Sequence, residues 1–121
     1  KMEQNKSHYA DLENSEDVYQ LYLKSELILE SDQAILLQEH YNGNSMRAVV
    51  YFAPSVLAGL GLEKSELSTS CPIKGSASYW NFKGIENAAW SYENPLPDMI
   101  KMKGYLGFDL RKKFRIKLKV S

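Results

Sequence analysis

The chain is predicted to be an all-β, single-domain protein, mostly antiparallel, with one short helix. Three features carry that expectation. Short alternations of apolar and polar residues recur between turn signals. Tyrosine, which favours strands, is abundant at eight residues. Only the stretch opening at Pro54 reads as a helix. A length of 121 residues suits one domain, and roughly two-thirds of the unfolded surface can be buried at that size. Hydrophobic content of 44% and charged content of 25% are ordinary for a globular domain.

Residues 1–17 are polar and acidic and read as an N-terminal arm, with a helical turn near Asp11 to Glu16. The β domain spans residues 18–121. Val18 to Leu23 alternates on two faces, Lys24-Ser25 turns, and Leu27 to Leu29 and Ala34 to Gln38 follow as a meander. A helix from Glu26 to Glu39 competes, but would have to pass Ser31-Asp32 unaided. Asn42-Gly43 marks a loop from Tyr41 to Ser45. Val49 to Phe52 is nearly all apolar, as a central strand requires. Pro54 suits a first helical turn, Val56, Leu57 and Leu60 share its face, and Gly61 can close it in a left-handed cap. Glu63 to Glu66 reads as a polar connection.

Two aromatic-rich arms follow, Gly75 to Phe82 and Ile85 to Tyr92, facing each other across Asn81 to Glu86 as a hairpin with a longer loop. Asn94-Pro95-Leu96-Pro97 ends the ladder, because proline cannot donate to it. Gly104 to Phe108 is a further strand whose glycines predict a bulge or a close backbone approach. In the last strand, Phe114 to Val120, the apolar residues point one way and Arg115, Lys117 and Lys119 the other. Lysines guard edge strands against aggregation. The whole predicts about seven to nine strands.

Net charge is zero but unevenly spread. Residues 1–39 hold nine acids and three lysines; the last 21 residues hold eight bases and one acid, Asp109. Proximity of the two ends would balance them. The sharper alternative is a protein or nucleic-acid interface along Arg111 to Lys119, disfavoured for single strands because no aromatics interleave the bases. One cysteine excludes an internal disulfide and a cysteine-based zinc site and fits a cytoplasmic location. No secretory leader opens the chain, and Ala48 to Leu62 is too short and broken to span a membrane. Oligomeric state is not readable.

Several constellations could carry chemistry. Cys71 lies three residues before Lys74, and an ammonium stabilises a thiolate, so Cys71 is a candidate nucleophile or redox centre. The ordinary reading is a buried structural cysteine. Lys74-Gly75-Ser76-x-Ser78 lacks the preceding glycine of a phosphate loop, and Lys64 occupies the third glycine position of a dinucleotide fingerprint begun at Gly59. Residues two apart share a strand face. Alternation therefore groups Ser76, Ser78 and Trp80, and groups Ala88, Trp90 and Tyr92, so that two tryptophans on facing arms form an aromatic wall. With Tyr79, Tyr105, Asn87 and Lys74, these residues outline a pocket for a small or anionic ligand, with Lys74 as the point charge. Aromatic packing explains the same residues, and the serines tilt the balance toward a pocket. Glu86, Glu93 and Asp98 read as solvated loop acids. No cofactor is implied, and whether the protein is an enzyme stays open.

Three blocks in order carry a resemblance: Cys71-Pro72-x-Lys74-Gly75-x-Ala77-x-Tyr79-Trp80, then Asn87-Ala88-Ala89-Trp90-x-Tyr92-x-x-Pro95, then Ile100-x-x-x-Gly104-Tyr105-x-x-Phe108. Residues 18 to 120 resemble the family called domain of unknown function 427, also catalogued as nucleotidyltransferase-like. Ile73 departs from the aromatic that family often has after Cys-Pro. The resemblance implies a β-tent, or Mss4-like, fold, whose wider group includes methionine sulfoxide reductase type B and the thalidomide-binding domain of cereblon. Many of those carry a four-cysteine zinc site; one cysteine here implies none. Some of those relatives bind small ligands in aromatic cages. The nucleotidyltransferase label finds neither a paired Asp for a metal nor a nucleotide loop among these residues.

Overall fold

A computed structural model describes residues 7–120. Eleven strands are present among them: β1 (His8–Ser15), β2 (Tyr19–Leu23), β3 (Glu26–Ser31), β4 (Ala34–Tyr41), β5 (Asn44–Ser45), β6 (Val49–Phe52), β7 (Glu63–Cys71), β8 (Gly75–Phe82), β9 (Ile85–Pro95), β10 (Leu106–Phe108) and β11 (Phe114–Leu118). The all-β antiparallel expectation holds. Among the described residues, helical structure is limited to short 3-10 turns at Pro54–Val56, Pro97–Met102 and Leu110–Lys112, the first of them where Pro54 predicts it.

The large sheet has the order β1-β4-β6-β10-β9-β8-β7, with β5 paired to β4; a small sheet has the order β11-β2-β3. β6 is therefore interior, as its apolar run requires, and β11 is an edge. Between the sheets lies one core, built from Leu21, Leu29 and Phe114 of the small sheet and Phe52, Ala89 and Phe108 of the large one. The other face of the large sheet packs Ile35, Tyr51 and Tyr92 beneath Met99 and Met102 of the Pro97–Met102 turn. This sheet curls. Glu39 on β4 reaches Lys74 in the β7–β8 turn at 3.2 Å, although β6, β10 and β9 lie between those strands in the sheet.

Four expectations are corrected. His8–Ser15 is a strand paired along its whole length with β4, where the polar composition predicts an arm; polar alternation suits an edge strand equally well. Residues 1–6 of that arm lie outside the described residues. The predicted meander stops after two strands: β2 and β3 form the small sheet with β11, while β4 pairs with β1 and β6. Glu63 to Glu66 opens β7, again as a solvent-exposed edge. The hairpin loop is only Lys83-Gly84, with φ of 49° and 80°, the left-handed pair that a tight primed turn needs.

Candidate functional site

The two-tryptophan wall depends on how the two arms pair, and the pairing separates the tryptophans. Trp80 sits opposite Ala89, whereas Trp90 sits opposite Tyr79, so the two indoles occupy opposite faces of the sheet. Bulges between Ser76 and Ser78 and between Trp80 and Phe82 shift the register. Asn87 lies in the second, at φ 51°, a left-handed conformation asparagine tolerates. Its N–H donates to Asn81 Oδ1 at 2.8 Å, and its Oδ1 accepts from Ser65 Oγ. Asn87 thus shapes the bulge and does not face a pocket with either tryptophan.

Trp90 belongs to the face under Met99 and Met102. Its Nε1 donates to Tyr51 Oη at 3.0 Å, and the rings meet edge to face at 5.8 Å. Gly107 lies opposite it, and a Cβ there would come within 2.9 Å of Trp90 Cζ2 and 3.1 Å of Tyr51 Cε2. This is the close approach the glycines of this strand predict. Tyr79, Tyr92, Tyr105 and half-buried Cys71 pack in the same cluster. Tyr79 Oη and Thr69 Oγ1 are hydrogen bonded at 2.9 Å. Burial pushes the Tyr51 and Tyr92 phenols well above their usual range, so both remain neutral.

Lys74 closes this face and is not poised for an anion. Its side chain is only 13% exposed, its Nζ bonds Glu39, and it lies 5.6 Å from the centre of the Tyr92 ring. His8 Nε2 is 2.6 Å from the other Glu39 oxygen. Burial alone would raise the Glu39 carboxyl; His8 and Lys74 outweigh it and hold the group below the usual range. The lysine charge therefore goes to Glu39 and not to Cys71. Ile73 faces away into a broad cleft of about 820 Å³ between β1 and the Leu96–Met99 segment.

Trp80 has a different environment. The segment from Pro54 to Leu62 folds over β8, β9 and β10 and leaves a cavity of about 380 Å³. Leu57, Leu62 and Leu106 give it apolar walls; Trp80, Ser91 and Glu93 are its polar-bearing members. Ser91 is 2% exposed. Among the described residues, two buried side-chain polar atoms lack a hydrogen-bond partner, Trp80 Nε1 and Ser91 Oγ, and both residues line this one cavity. Glu93 Oε1 accepts from Lys64 Nζ at 2.8 Å and Ser78 Oγ at 2.9 Å, which hold the carboxyl below its usual range. Among the described residues, no hydrogen bond reaches Oε2. Lys64 also sits 5.6 Å from the Trp80 ring centre.

The chain matches the family described as a domain of unknown function, DUF427, over residues 11–118. It belongs to that family. No curated protein matches the chain. In this DUF427 domain the predicted site residues divide into groups. Trp80 lines the cavity, and Ser78 holds its rim carboxylate. Lys74, Tyr79, Trp90, Tyr92 and Tyr105 gather with Cys71 on the opposite face. Asn87 serves a bulge, and Ser76 is exposed at the β8 start. Ser91 and Glu93 are the residues alternation could have found: with Ala89 they fall at alternate positions of β9, a row that begins buried and ends in a half-exposed carboxylate. No helix is long and apolar enough to cross a membrane among the described residues.

Proposed function

We propose that this domain binds a small uncharged molecule carrying a hydrogen-bond acceptor beside an N–H or O–H donor, of the amide type, in the cavity beside Trp80. The observation that carries the reading is the pair of buried, partnerless polar atoms, Trp80 Nε1 and Ser91 Oγ, on residues lining one apolar-walled cavity. Leaving such a group unmade costs about 1–3 kcal/mol, so a fold that keeps two together favours an occupant that satisfies them. The indole N–H calls for an acceptor. Glu93 Oε2 calls for a donor, and the Glu93 charge is already balanced by Lys64. An amide meets both demands, and a cavity of about 380 Å³ suits a small molecule.

Saturation-transfer NMR with 2-pyrrolidinone, using cyclopentanone as the analogue without an N–H, tests the reading. The cyclic amide is expected to receive saturation from the wild-type protein and to lose it in Trp80→Phe and Ser91→Ala, with cyclopentanone receiving much less throughout. Equal transfer to both compounds, or transfer unchanged by either substitution, would overturn it.

The reading with Cys71 as a nucleophile or redox centre has less support: the nearest ammonium is committed to Glu39, and no hydrogen bond joins Cys71 to a base among the described residues. The basic strand also has its own partners. Lys119 pairs with Glu30 at 3.1 Å, and Arg115 and Lys117 lie over the Tyr22 ring.

A further inference from the structure

The seam between the two sheets carries a second opening. β6 and β10 are joined by a single residue couple, Phe52 opposite Leu106. Beyond that couple, Val49 and Val50 on one side and Phe108 and Asp109 on the other line a groove of about 590 Å³. Tyr19, Ile116 and Leu118 of the small sheet form its far wall, and Trp90 lines it from the large sheet. Leu110 and Leu118 are half exposed along it, so apolar surface is left open to solvent.

Charge at the mouth is lopsided. Arg47 lines the groove and makes no hydrogen bond or ion pair with another described residue. Asp109, the acid in the lining, is already engaged: Arg111 Nε and a terminal guanidinium nitrogen reach its two oxygens at 2.9 and 3.0 Å, and Lys112 lies 3.9 Å away. Two cations, Arg111 and Lys112, thus attend Asp109, and a third, Arg47, lines the same groove with no partner among the described residues. An unpaired guanidinium beside apolar walls complements a carboxylate on a hydrocarbon chain.

We propose that this groove binds an anionic amphiphile, a monocarboxylate with an unbranched acyl chain. The carboxylate pairs with Arg47, and the chain lies along Val49, Trp90 and Leu118. A peptide strand fits less well: Val49 and Val50 offer too short a free edge for the main-chain ladder that strand addition uses. The groove shares no lining residue with the Trp80 cavity, so the two sites stand or fall separately.

The test uses dodecanoate below its micelle concentration and the Trp80→Phe protein, in which Trp90 is the one remaining indole. A saturable change in Trp90 emission at one equivalent is expected. Adding Arg47→Ala should weaken dodecanoate about tenfold, the loss of one charge-assisted contact, and leave dodecanol unchanged. Arg47 is exposed and unpartnered, so its removal leaves the fold intact, which far-UV circular dichroism checks. Leu118→Glu, at an exposed position, should weaken both compounds. No saturable change, equal dodecanoate affinity with and without Arg47, or dodecanol binding as tightly as dodecanoate would overturn the proposal.

Discussion

Trp80 and Trp90 stand on adjacent strands of one hairpin, yet the fold treats their indole N–H groups in opposite ways. Trp90 donates its N–H to Tyr51 Oη in a hydrogen bond of 3.0 Å and presses its ring against the bare backbone of Gly107. Trp80 keeps a buried N–H with no partner, beside an equally partnerless Ser91 hydroxyl. A buried donor is ordinarily satisfied by the fold itself, as Trp90 is. The difference separates an indole N–H committed to the fold from one the fold leaves without a partner among the described residues, and neither residue type nor neighbourhood in sequence distinguishes them.

The contrast can be broken from either side. The largest effect is expected from Gly107→Ala, whose methyl would strike both the Trp90 and Tyr51 rings; a loss of about 3 kcal/mol in urea unfolding is predicted, the upper end for overpacking. A neutral result would mean that the Trp90 face is loosely packed. Glu39→Gln should cost about 2 kcal/mol at neutral pH, because it strips a largely buried lysine of its charged partner on the face Trp90 shares. The folded Glu39 carboxyl is held below its unfolded value of about 4.3. Its contribution is therefore present above that value and is lost as pH falls through the depressed folded one. The stability gap between wild type and Glu39→Gln should close in acid; a gap that persists there would place the effect elsewhere.

Tyr51→Phe should cost about 1 kcal/mol by orphaning the Trp90 N–H, turning Trp90 into a second Trp80. Trp80→Phe is the smallest change. It deletes a donor that has no partner, so the midpoint of unfolding should move by less than about 0.5 kcal/mol equivalent, or rise. A Trp80→Phe loss as large as that of Tyr51→Phe would erase the contrast.

Most of the scaffold is legible in the sequence, and most of the site is not. Alternation in Tyr19–Leu23, the apolar run Val49–Phe52, the proline at Pro54 and the lysines of the last strand each lead to the correct element, because each is a local preference. The edge strands β1 and β7 escape, since polar edge residues look like loop. The face of Trp90 relative to Trp80 escapes for a sharper reason: it is set by cross-strand pairing, Trp80 opposite Ala89 and Trp90 opposite Tyr79, which alternation within each arm does not supply, and Asn87 reads as a polar contact until its φ of 51° is seen. Lys74 shows the same limit. Its spacing from Cys71 suggests a thiolate partner, but curling of the sheet brings Glu39 to it from a distant strand.

The two indole N–H cross-peaks of a ¹⁵N-labelled sample report directly on both tryptophans, with Trp80→Phe assigning them. On titration with 2-pyrrolidinone, the Trp80 peak should shift progressively and saturate while the Trp90 peak stays in place. Movement of the Trp90 peak alone, or of neither, would contradict the proposal that the Trp80 N–H is free to meet a ligand while the Trp90 N–H is held by Tyr51.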